Sequence, residues 1–142
     1  MKAIVLAAGV GKRFKEVTAH RPKCLIDIQG KTLLERTLAA LGAAGISQAV
    51  VVTGYRGEMI KQEIGSSCGG VHVTYVNNPQ YEKGAILSLF SAHDEFDDDI
   101  LVMDADVLFP VAMIDRLIHS PHANCFLLDG RVCQVERVLY RF

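Results

Sequence analysis

The sequence predicts an α/β protein, a doubly wound, mostly parallel twisted sheet with helices on both faces. Three observations carry this expectation. Apolar runs that read as strands (Ile4-Val5-Leu6, Ala49 to Thr53, Val71 to Val76, Ile100 to Met103) alternate with segments of helical spacing, the order expected of right-handed crossovers on one sheet. The run from Ala49 to Thr53 is continuous, as suits a strand covered on both faces. No internal repeat or low-complexity tract interrupts the alternation, and 142 residues make one domain with a full core.

The first strand passes into Ala7-Ala8-Gly9-Val10-Gly11, and a short apolar segment, Leu25 to Ile28, ends in a turn at Gln29-Gly30. Thr32-Leu33-Leu34-Glu35 has the form of a capping box. A helix is expected from there to about Ala44, with Leu34, Leu38 and Leu41 on one face and Gly45 as its stop, packed on the first strand. Glu58 to Ile64 reads as a short helix, and Asn77-Asn78-Pro79 breaks the third strand. From about Ala85 to His93 a further helix is expected to carry Ile86, Leu89, Phe90 and His93 on one face. The acids Asp94, Glu95, Asp97, Asp98 and Asp99 read as a solvated turn. The fourth strand ends in Asp104-Ala105-Asp106, Pro110 starts a helix running through Ile118, and Cys125 to Leu128 is a fifth strand. The tail from Asp129 to Phe142 alternates Val132, Val135 and Val138 with charged or polar residues, which leaves two alternatives, an added edge strand or a segment without fixed order.

Half the residues are apolar, 22% are charged and the net charge is −1. No bulk field points to nucleic acid or to an anionic membrane, so neither is expected as a partner. No run reaches the length of a membrane span and no secretory pattern opens the chain, so a cytoplasmic protein is expected. Cys24, Cys68, Cys125 and Cys133 have neither a Cys-x-x-Cys pair nor a His at ligand spacing, which argues for free thiols over a structural zinc. The five histidines have no catalytic or ligand spacing either.

The chemistry is concentrated between Ile4 and Lys23. A loop with almost no side-chain bulk lets a ligand approach its amides, and successive N–H groups form a concavity that favours anions. Lys12, Arg13, Lys15, Arg21 and Lys23 follow it. A P-loop is excluded because the required glycine and hydroxyl positions are Leu6 and Arg13. A dinucleotide fingerprint starting at Gly9 is excluded because its third small residue would be Phe14. Ligands of open α/β sheets bind outside the carboxyl ends of the strands. If the first and fourth strands are central and parallel, the glycine loop and the two aspartates meet on one rim.

Leu6, Ala7, Ala8, Gly9, Gly11 and Arg13, then Pro22-Lys23, Leu25 and Gly30, resemble the signature of the nucleotidyltransferase superfamily, which activates sugars, alcohols and cofactors as nucleoside diphosphates. The resemblance implies a Rossmann-like nucleotidyltransferase fold. It places a nucleotide along Leu6, Ala7, Ala8, Gly9, Gly11 and Lys12, with Asn78, Gly84, Ala85 and Ser88 in the base-recognition region. It makes Arg13 and Lys23 the catalytic cations, the first a fork for phosphate oxygens as pyrophosphate leaves, the second a point charge nearer the α-phosphate. It implies Mg2+ as cofactor, held by Asp106 with Asp104 assisting. The wording NNPQYEKGAILSLFSA and ILVMDADVLF is similar to the branch acting on CTP and small phosphorylated alcohols such as phosphocholine, with sugar-1-phosphate nucleotidyltransferases next.

After Leu128-Asp129 the sequence departs from that pattern, so the resemblance implies a fold shortened at its carboxyl end. Asp115, Asp129 and Glu136 are the remaining late acids, and none is assigned to a metal. Three alternatives follow. The first is an active transferase in which Asp104 and Asp106 share the metal or a second copy, in a homo-oligomer, completes the site. The second is a nucleotide-binding domain without turnover. The third, a regulatory or oligomerisation module, leaves the coexistence of Arg13, Lys23 and Asp106 without a reason.

Overall fold

The computed structural model describes residues 1–11 and 20–127 and the backbone of 139–141. Lys12, Arg13, Lys15, Asp129, Cys133 and Glu136 lie outside the described residues. The strands are β1 (Lys2–Ala7), β2 (Asp27–Ile28), β3 (Lys31–Thr32), β4 (Gln48–Thr53), β5 (Ser67–Cys68), β6 (Val71–Asn77), β7 (Ile100–Asp104), β8 (Cys125–Leu127) and β9 (Leu139–Arg141). The helices are α1 (Leu33–Ala43), α2 (Gly57–Ile64), α3 (Ala85–Ser91) and α4 (Val111–Ile118).

Seven strands form one sheet in the order β5-β6-β4-β1-β7-β9-β8. β1 lies between β4 and β7, parallel to both, and β4 is parallel to β6. The chain steps outward from β1 to β4 to β6 and then returns to the other side of β1 as β7. That reversal between β1 and β7 is the switch point of the sheet, where ligands of such folds bind.

Alternation along β1 splits the core between the two faces. Ala3, Val5 and Ala7 join Leu34, Leu38 and Leu41 of α1, Ile60 and Ile64 of α2, and Ile114 and Leu117 of α4. Ile4, with Val50, Val52, Ile100 and Val102, is covered from the opposite face by Leu89 of α3 and by Ala92. The doubly wound expectation is met by these two apolar layers.

The start of α1 is set by its sequence. Thr32 Oγ1 accepts from Glu35 N–H at 3.1 Å while Glu35 Oε2 accepts from Thr32 N–H at 2.6 Å, a reciprocal capping box. At the other end Gly45 takes φ +83°, and the bonds Gly45 N–H to Gly42 O and Ile46 N–H to Leu41 O, both 3.0 Å, complete a Schellman stop. Thr32→Ala is expected to cost about 1 kcal/mol, read as a lower Tm. Glu35 carries a pH signature: its bonds from the Thr32 amide and hydroxyl hold its carboxyl below the ordinary value of 4.5. Its stabilisation is therefore present above that value and fades as pH falls through the lower folded one. The Tm gap between wild type and Glu35→Gln should close in acid.

Two expectations need correction. The tail strand β9 is not at an edge: it pairs antiparallel with both β7 and β8, so the sheet is mixed on that side. α3 turns a different face inward from the one expected, leaving Ile86 72% and Phe90 64% exposed while Ser88 is buried. Ser88 is held by a polar anchor, Asn78, and that bond outweighs apolar spacing in choosing the face. The acidic run is the exposed turn expected, and it carries ion pairs besides: Lys2 Nζ lies 3.2 Å from Glu95 and 2.8 Å from Asp97, and the terminal ammonium pairs with Asp98.

Candidate active site

A cleft of about 300 Å³ opens at the β1/β7 switch point, lined by the loop from Leu6 to Gly11, by Lys23 and Cys24, by Tyr81, Glu82, Gly84, Ala85 and Ser88, and by Asp104 to Asp106. The register Leu6↔Asp104 puts the ends of β1 and β7 side by side, and Ala105 N–H donates to Leu6 O at 3.0 Å. The glycine loop and the two aspartates thus share one rim. On the other flank Tyr55 N–H donates to Ala8 O at 3.1 Å, which ties the loop to the end of β4.

Within that loop Gly11 has φ +69°, a conformation that costs a residue with a Cβ. A Cβ built on Gly9 meets no atom within 4 Å. The backbone is therefore bare toward open space, the geometry an anion needs to reach its amides.

Lys23 reaches the cleft because Pro22 (φ −54°) precedes a 3₁₀ turn, Lys23–Leu25, closed by Leu25 N–H to Pro22 O at 3.0 Å. Its Nζ lies 2.5 Å from Asp106 Oδ2. The pair is half-exposed, so it positions charge more than it stabilises the fold. Asp104 is more deeply set. Burial first, and the charge of Asp106 second, push its carboxyl above the usual range, against the pull of Lys23. Two carboxylates crowded together beside one ammonium make a site that gains from further positive charge.

The cleft brings together Leu6, Ala7, Ala8, Gly9, Gly11, Lys23, Gly84, Ala85, Ser88, Asp104 and Asp106. Asn78 is not among its lining. It is 2% exposed and uses its side chain on Ser88 and on the Gln80 backbone. Arg21 turns away from the cleft, donating to Leu25 O at 2.7 Å and pairing with Glu63 at 2.5 Å. Cys24 lies at the base of the cleft with burial pushing its thiol up to about 12, which keeps it an unreactive packing group.

Sequence reasoning missed Tyr81 and Glu82 as lining. Tyr81 packs on Gly54, where a Cβ would sit 2.6 Å from Tyr81 Cβ, and a contact between segments so far apart in sequence leaves no local pattern.

Residues 3–133 match the family described as the MobA-like NTP transferase domain, and the chain belongs to that family of nucleotidyltransferase enzymes. It is 40% identical over 111 residues to the choline-phosphate cytidylyltransferase of Haemophilus influenzae, covering 76% of this chain and 45% of that one. It is 35% identical over 109 residues to UTP--glucose-1-phosphate uridylyltransferase AglF of Haloferax volcanii, covering 77% and 44%. The solved inositol-1-phosphate CTP transferase from T. maritima superposes with a TM-score of 0.73 at 23% identity, over 99% of this chain and 69% of that one. The chain therefore spans less than half the length of these two curated relatives. Among the described residues no helix is long and apolar enough to cross a membrane.

Proposed function

We propose that this chain transfers a nucleotidyl group from CTP to a small phosphorylated alcohol such as phosphocholine, releasing pyrophosphate. One observation carries the reading: the bare glycine loop after β1 faces Lys23, Asp104 and Asp106 across a single cleft at the switch point. An oxygen of the acceptor's phosphate attacks the α-phosphorus, a new P–O bond forms, and the bond to the β-phosphate breaks. Both reactants are anions, so catalysis is chiefly positioning and charge neutralisation. The loop amides seat the triphosphate, and Lys23 offsets charge at the reacting phosphate.

Asp104 and Asp106 suit a hard divalent cation. Among the described residues no group of three His, Cys, Asp or Glu gathers, and magnesium takes one or two carboxylates while phosphate oxygens and water complete its shell. When bound, Mg2+ would neutralise phosphate charge at that acid pair. Similarity to the choline-phosphate cytidylyltransferase supports cytosine and choline. Similarity to the uridylyltransferase supports a sugar-1-phosphate nucleotidyltransferase as the second reading. The share of those relatives that the chain spans supports a third, nucleotide binding without turnover.

Pyrophosphate release with Mg2+ separates them. CTP with phosphocholine should give the fastest release, and faster release from UTP with glucose 1-phosphate would favour the second reading. Calorimetric binding of a nucleotide without release from any pair would favour the third.

A further inference from the structure

Asn78 and Ser88, 2% and 4% exposed, are joined by a hydrogen bond of 3.0 Å from Asn78 Nδ2 to Ser88 Oγ. The surrounding backbone dictates the direction of that bond. Gln80 N–H points at Asn78 Oδ1 from 2.8 Å, and since a backbone N–H can only donate, the atom facing it must be the carbonyl oxygen. The amide nitrogen then faces Ser88. The backbone of Asn78 is held in place as well, its own main-chain N–H donating to Thr53 O at 2.7 Å, at the end of β4.

Ser88 Oγ is thus an acceptor in this pair, and its own hydrogen has to go elsewhere. A helical serine commonly gives it to the carbonyl one turn back, as Ser91 does to Leu87 O at 2.8 Å. Ser88 makes no such bond among the described residues, and it lines the cleft. A lone hydroxyl could meet a ligand as donor or acceptor; this one is left only its donor.

We propose that Asn78 is a positioning residue that fixes Ser88 as a hydrogen-bond donor into the cleft. The cleft then favours nucleotides presenting an acceptor atom there, such as the C2 carbonyl shared by cytosine and uracil. The inference rests on the nucleotidyl-transfer reading, and it assigns Asn78 an indirect role through Ser88 in place of a nucleotide contact.

The test is calorimetric affinity for CTP and UTP in wild type, Asn78→Asp, Ser88→Ala and the double variant, each checked by thermal melting. In slightly alkaline buffer, Asp at 78 keeps an acceptor for Gln80 N–H but offers Ser88 a second acceptor. Ser88 then donates inward and turns a lone pair to the cleft. Asn78→Asp and Ser88→Ala should each weaken both nucleotides by about tenfold or more, the effect of leaving a buried acceptor without its donor. The double variant should be no weaker than Ser88→Ala alone, because the two residues act as a unit.

Unchanged affinity in Asn78→Asp, or a loss that persists in full on the Ser88→Ala background, would overturn the positioning role while leaving nucleotidyl transfer intact. If Asn78→Asp does not fold, unchanged affinity in Ser88→Ala alone overturns it. Wild type binding neither CTP, UTP nor ATP sinks the nucleotidyl-transfer reading itself, and the inference with it.

Discussion

Replacing Asp106 by asparagine is expected to slow pyrophosphate release by about 10²–10³-fold, the size seen when one preorganised electrostatic group is taken from an active site. The change is nearly isosteric. It removes a negative charge that lies 2.5 Å from Lys23 Nζ, beside the partly buried carboxyl of Asp104. A carboxylate that binds a hard cation is thereby exchanged for a neutral amide. The fold should hardly notice. A half-exposed ion pair is worth at most about 1 kcal/mol, and losing Asp106 also relieves the charge that lifts Asp104. Tm should therefore move by less than about 4 °C. Full turnover in Asp106→Asn would remove this acid from the chemistry, and a large loss of Tm would assign it a structural role instead.

Leu38→Ala should do the reverse, lowering stability by about 2–5 kcal/mol. Leu38 is fully buried on the inner face of α1, with Leu34 and Leu41 in the same layer as Val5, Ile60 and Leu117. The neighbouring leucines cannot collapse into the space without shifting a helix clamped at both ends, by the capping box and by the Gly45 stop. Against a typical total of about 5–15 kcal/mol, the variant should melt on the order of 10 °C earlier. Nucleotide affinity measured below that transition should stay near wild type, since α1 supplies no lining residue to the cleft. A shift of only a degree or two would mean that the layer is looser than its burial implies.

Local pattern made much of the fold legible. The apolar runs of β1, β4 and β7, the Thr32–Glu35 box and the Gly45 stop are written in neighbouring residues, where propensity and capping act directly. The rim shared by Gly9–Gly11 and Asp104–Asp106 followed from the rule for open sheets once two strands were taken as parallel neighbours. What escaped was set by contacts between distant segments. Nothing near Ile86 and Phe90 announces that they face outward, because the Asn78–Ser88 bond fixes the rotation of α3. Nothing near Leu139–Arg141 announces that this strand enters between β7 and β8. Tyr81 reached the cleft through a fit against Gly54, and Arg21 left it for Glu63, two pairings that sequence spacing does not encode.

On the proposed function, the loop after β1 and the acid after β7 hold one triphosphate together. A crystal structure with a non-hydrolysable CTP analogue and Mn2+ in place of Mg2+ would test it most directly, using the anomalous signal of the metal. Manganese is expected on Asp106, shared with phosphate oxygens seated against the Gly9–Gly11 amides. Nucleotide bound away from that loop, or metal bound without contact to Asp106, would contradict it.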